Sequence, residues 1–154
     1  MKAYSVQAFK LLMVKDSSQA SRRTTRLLNS KPLCGADVVY KYIRPFFVNS
    51  DREKFGIICL NSHNTVIAFH LVSIGNLDSS IVHPREVFKF AILSSSASII
   101  LVHNHPSGFL DPSSEDIHLT RRLVEAGELM GIAVLDHLIL NNTDFVSMKS
   151  RNLM

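Results

Sequence analysis

The chain has 154 residues, 46% of them hydrophobic and 19% charged, and carries a formal net charge of +4 with histidine neutral. That balance describes one globular domain able to fill a core and excludes a disordered chain; two cysteines exclude a disulfide framework or a four-cysteine zinc site. No apolar run nears the ~20 residues of a membrane helix, and the first thirty residues lack the order of a signal peptide, so no membrane partner and a cytoplasmic location are the default expectations.

Residues 3–14 read as a strand with weak alternation. Residues 15–35 are rich in Ser, Thr, Arg and Lys and read as a polar arm, one that a homo-oligomer would exchange between subunits. The arm holds the densest basic cluster, Arg22, Arg23 and Arg26, with no aromatic residue interleaved to stack on bases. The net charge on its own suggests an anionic partner such as DNA, but the scattered cations read more simply as a solvated surface.

From residue 36 the chain reads as one domain running to 154. Val38, Val39, Tyr42, Ile43 and Phe46 fall at helical spacing over 36–47, with Pro45 disturbing the last turn. Phe55–Leu60 and Thr65–Ile74 are β-rich and are separated by Asn61-Ser-His-Asn64, the chemistry of a hairpin turn. His83-Pro84 opens a second helix whose apolar face is Val87, Phe88, Ala91 and Ile92. Residues 97–102 form the continuous apolar run of a strand buried on both faces, and Cys59 reads as a small core residue. A helix follows from Ser113 to about Met130, ended by Gly131. Two closing strands, Ile132–Leu140 and Phe145–Met148, complete a mixed α/β order: a central sheet flanked by helices.

The chemistry concentrates between His103 and Asp116. In an extended chain residues i and i+2 share a face, so His103 and His105 leave the buried strand pointing the same way. Pro106, Ser107 and Gly108 then turn the chain, and the next helix carries Asp116 in its first turn. Two imidazoles and a carboxylate suit Zn²⁺, and three protein ligands leave the fourth tetrahedral position open, as a catalytic rather than a structural site requires. Ser113-x-x-Asp116 is equally a capping box, which needs no metal. Other zinc patterns fail on inspection. Ser107 and Gly108 stand where a metallo-β-lactamase type needs Asp and His, 154 residues are too few for a barrel amidohydrolase, and neither Pro-Cys-x-x-Cys nor His-Glu-x-x-His occurs. A base for such a site is Glu53, just ahead of a strand, although Asp51-Arg52-Glu53-Lys54 also reads as an exposed charged turn. His118, two residues past Asp116, turns to another side of the helix and reads as a surface histidine. Asp136-His137 reads either as an orienting pair for a metal histidine or as a buried structural pair.

His103-x-His105-Pro, followed after six residues by Ser113-x-x-Asp116, resembles the signature of JAMM (MPN-plus) metalloproteases. Ser79-Ser-Ile-Val-His-Pro-Arg-Glu-Val-Phe88, His103-Asn-His-Pro-Ser-Gly108, Leu119-Thr-Arg-Arg122 and Leu135-Asp-His-Leu138 resemble more narrowly the RadC-type branch, over the stretch from about Ala36 to the C-terminus. The resemblance implies a JAB/MPN fold of cytidine-deaminase-like architecture, a curved mixed sheet with helices on both sides. It implies zinc on His103, His105 and Asp116, Glu53 as the catalytic glutamate, and Ser113 as a hydroxyl serving the attacking water or the developing oxyanion. The substrate class it implies is a peptide or isopeptide amide. Full-length RadC-type proteins resemble a fusion of this domain to a helix-hairpin-helix region. The residues ahead of the resemblance here show no such motif, so DNA association is the lesser expectation, beside a non-catalytic MPN interaction module.

Overall fold

In a computed structural model, residues 32–75 and 82–154 are described. The strand expected at 3–14 and nearly all of the polar arm lie outside them.

The elements run α1 (Ala36–Phe47), β1 (Lys54–Leu60), β2 (Val66–Ile74), α2 (Pro84–Leu93), β3 (Ser98–Asn104), α3 (Ser114–Met130), β4 (Ala133–Leu140) and β5 (Phe145–Ser147). The five strands lie in the order β2-β1-β3-β4-β5. Only β3 and β4 pair in parallel, joined by the α3 crossover; the other pairs are antiparallel. The fold is therefore mixed α/β, with the sheet in the middle, and it is consistent with a JAB/MPN domain.

Layers on both sides explain the unbroken apolar run of β3, which is buried at all seven positions. One face, carrying Phe55, Ile57, Ile99 and Leu101, packs against Val87, Phe88 and Ala91 of α2 and Leu123 of α3. The opposite face, carrying Ile58, Leu60, Ile100, Val102, Leu138 and Leu140, packs against Val39, Ile43 and Phe47 of α1.

Local chemistry sets the ends. His83 caps α2, its Nδ1 accepting from the Arg85 N–H at 3.3 Å, with Pro84 in the first turn. Gly131 stops α3 in the left-handed conformation at φ 67°. Pro45 does not end α1; near the carboxyl end its missing N–H removes one bond, and the helix continues to Phe47. The buried face of α1 is Val39, Ile43 and Phe47 rather than Phe46, and Val38 is 42% exposed. Ile92 is likewise 54% exposed, so the face of α2 is Val87, Phe88 and Ala91. The most consequential difference is at β3. It runs two residues past the apolar stretch, so His103 is held inside the sheet between Phe55 of β1 and Ile139 of β4.

Candidate metal centre

His103 sits in the last turn of pairing of β3, 1% exposed. His105 has just left the strand, its N–H bonded to the Leu140 carbonyl at 2.9 Å. The next residues fold back in a turn closed by Gly108 N–H on the His105 carbonyl at 3.1 Å. Gly108 adopts φ 87°, a conformation that a side chain would strain. The turn brings the Phe109 carbonyl to 2.8 Å from His105 Nδ1. A carbonyl only accepts, so His105 carries its proton on Nδ1 and directs the Nε2 lone pair into the site.

Asp116 enters from the first turn of α3 and is buried. The cap and the ligand prove compatible. Ser113 N–H and Oγ–H both donate to Asp116 Oδ2, at 2.8 and 2.7 Å, while the Asp116 N–H returns a bond to Ser113 Oγ at 3.1 Å. The other oxygen, Oδ1, faces His103 Nε2 at 3.2 Å.

The remaining separations are 2.8 Å between the two Nε2 atoms and 3.5 Å from His105 Nε2 to Asp116 Oδ2. Four-coordinate zinc with ligands at 2.0–2.1 Å separates them by about 3.3 Å, so these donors stand close to the spacing that one ion requires. Among the described residues they are the one His/Cys/Asp/Glu group compact enough to hold a metal. The electrostatics agree. Burial alone would raise the Asp116 carboxyl, but hydrogen bonds to His103, His105 and Ser113 hold it well below the usual carboxylate range. Burial would lower His105, yet Asp116, the Phe109 carbonyl and the Glu53 charge together raise it. The cluster is built to attract a cation.

Glu53 immediately precedes β1 and is half-buried. The antiparallel register pairs Phe55 with His103, and continued by two residues it sets Glu53 across from His105. The influence of Glu53 on His105 reflects that proximity. The backbone on both sides of Glu53 is clasped by Asn104, whose Oδ1 accepts from Lys54 N–H at 2.9 Å and whose Nδ2 donates to the Arg52 carbonyl at 3.1 Å. The Glu53 carbonyl in turn accepts from Gly75 N–H at 2.9 Å. Sequence reasoning missed Asn104, because its partners lie fifty residues away.

Asp136 and His137 do not act as a pair of side chains. His137 is fully buried and joins the metal side, its Nε2 2.8 Å from His103 Nδ1. Its Nδ1 lies 2.6 Å from Thr120 Oγ1, a second residue that sequence reasoning missed. Burial pushes the His137 imidazole well below its ordinary value, so it stays neutral. Asp136 instead anchors the C-terminal turn, accepting from Ser147 Oγ at 2.7 Å and Lys149 N–H at 3.1 Å. His118 is exposed, as its spacing from Asp116 predicts.

A mixed sheet flanked by helices, with a buried His-His-Asp cluster where a strand meets a helix, defines a JAB-type domain with a centre that fits a metallohydrolase. The chain belongs to the RadC family: the model of the RadC-like JAB domain matches residues 33–153. A UPF0758 protein of Methanosarcina barkeri is 40% identical over 156 residues, covering 100% of this chain and 68% of its own length. UPF0758 proteins of Desulforamulus reducens and Moorella thermoacetica are 59% and 58% identical over 104 residues, 68% of this chain. The chain spans only 46% and 45% of those two relatives. No helix among the described residues is long and apolar enough to cross a membrane.

Proposed function

We propose that this domain is a zinc-dependent hydrolase of the metallopeptidase type, acting on a peptide or isopeptide amide. The observation that carries the reading is the convergence of His103 Nε2, His105 Nε2 and Asp116 at 2.8–3.5 Å, with every other polar atom of the three occupied by the protein. His103, His105 and Asp116 would hold the ion, which when bound supplies a Lewis acid that acidifies water and polarises a carbonyl.

The rest of the chemistry belongs to the chain. Glu53, across from His105, takes the proton from the attacking water and returns it to the leaving amine. Asn104 fixes the backbone on which Glu53 is carried. Ser113 serves the oxyanion by turning its hydroxyl away from Asp116 Oδ2; its N–H keeps that oxygen satisfied meanwhile.

The test is a panel of peptide and isopeptide substrates offered to the zinc-loaded protein. Cleavage that stops on chelation and returns with zinc is expected. Cleavage indifferent to chelation, or a fully loaded protein inert toward the whole panel, contradicts the reading.

A further inference from the structure

We propose that Thr120 and His137 are positioning residues which set the tautomer of His103, leaving its Nε2 bare for a metal ion. The inference rests on the metal-centre reading above and extends it to two residues that touch neither metal nor substrate.

Protons can be counted along a buried chain of hydrogen bonds. Thr120 Oγ1 lies 2.6 Å from the Asp116 main-chain carbonyl, which can only accept, so the single hydroxyl proton goes there. The same oxygen lies 2.6 Å from His137 Nδ1 and must therefore accept from it, which places the His137 proton on Nδ1. With both ring nitrogens buried and neither bonded to a carboxylate, His137 is neutral and its Nε2 is a lone pair. That lone pair, 2.8 Å from His103 Nδ1, draws the His103 proton to Nδ1. His103 Nε2 then faces His105 Nε2 and Asp116 Oδ1 with no proton of its own.

Reversing the Thr120 hydroxyl reverses the chain. His137 would carry its proton on Nε2, donate to His103 Nδ1, and leave the His103 proton on the nitrogen that a metal needs. The direction is set by a helix carbonyl one turn before Thr120, so the ligand helix dictates the state of the ligand strand. The surroundings keep the chain dry: Met148 Sδ lies 3.4 Å from Thr120 Oγ1, and the Phe55 ring meets His137 edge-on at 5.5 Å.

The experiment compares zinc affinity, by competition with a chromophoric chelator, for the wild type, Thr120→Val and Thr120→Ser. Ring-nitrogen NMR of ¹⁵N-histidine-labelled protein accompanies it. The expected result is a loss of about ten- to a hundredfold in zinc affinity for Thr120→Val, near wild-type affinity for Thr120→Ser, and His137 protonated on Nδ1 in the wild type. A wild-type His137 protonated on Nε2, or a folded Thr120→Val that binds zinc as tightly as wild type, overturns the proposal while leaving the metal centre standing. A wild type that binds no zinc overturns the metal centre instead, and the His137 tautomer still decides the relay. Should Thr120→Val fail to fold, the wild-type tautomer decides alone.

Discussion

The two faces of β3 end in different ways. Toward α2 and α3 the strand presents Ile99, Leu101 and then His103, so an apolar stripe passes into the His-His-Asp cluster without a break. Toward α1 it presents Ile100, Val102 and then Asn104, so the stripe ends in an amide that holds neighbouring backbone. Residues 103 and 104 are adjacent, yet one is available to a ligand and the other is committed to the fold. The alternation of a strand thus separates chemistry from support at a distance of one residue.

Changes on the metal side should act on zinc and turnover and spare the fold. His105→Ala should weaken zinc binding by about a hundredfold or more, because it removes one of three ligands. Unchanged zinc affinity by chelator competition would mean that His105 is only a hydrogen-bonded turn residue. Glu53→Gln should retain one zinc per chain and lower turnover of a confirmed substrate by about 10²–10⁴-fold. Cleavage at the wild-type rate would remove Glu53 from the chemistry.

Changes on the α1 side should have the opposite signature. Leu138→Ala, at a fully buried position, should lower unfolding stability by about 2–5 kcal/mol in denaturant titration and leave zinc loading of the folded protein intact. Asn104→Ala sharpens the contrast, since it sits on the supporting face but clasps the backbone of the proposed base. It should keep zinc and lower turnover by about tenfold, through misplacement of Glu53. Full turnover would show that the Asn104 clasp is not needed to place Glu53. The smallest effect on stability belongs to Ser113→Ala, back on the metal side, which removes the helix cap and should cost about 1 kcal/mol, read from the denaturation midpoint; it also removes the hydroxyl proposed for the oxyanion, so turnover should fall by about 10²-fold.

Much of this arrangement was legible in the residues, because its signals are local. Ser113 and Gly131 bound α3 as their side-chain chemistry predicts, and the His103, His105 and Asp116 spacing survives folding because one strand end, one glycine turn and one helix start determine it. His137 was ambiguous for a physical reason. Strict alternation from Val134, which packs on the α2–α3 face, would bring Asp136 to that face and turn His137 away. The β3–β4 register instead slips by one residue, Ile99 pairing with Val134 and Ile100 with Asp136. The extra residue, Leu135, is a bulge that reverses the parity and turns His137 toward His103. No propensity marks that bulge. Asn104 was missed because its partners, Arg52 and Lys54, are remote in sequence, and Glu53, named from its place just ahead of a strand, outweighed an exposed charged turn only through the family resemblance. Thr120 was within reach, since four residues after Asp116 is one helical turn, but its value depends on where β4 places His137.

The central claim is that three side chains from a strand end and a helix start hold one ion. Its most direct test is zinc per chain by elemental mass spectrometry, on protein purified without added metal, beside an Asp116→Ala variant. About one zinc in the wild type and little in the variant is the predicted result. No zinc in either, persisting after zinc is supplied, would contradict it and reduce Ser113-x-x-Asp116 to a helix cap.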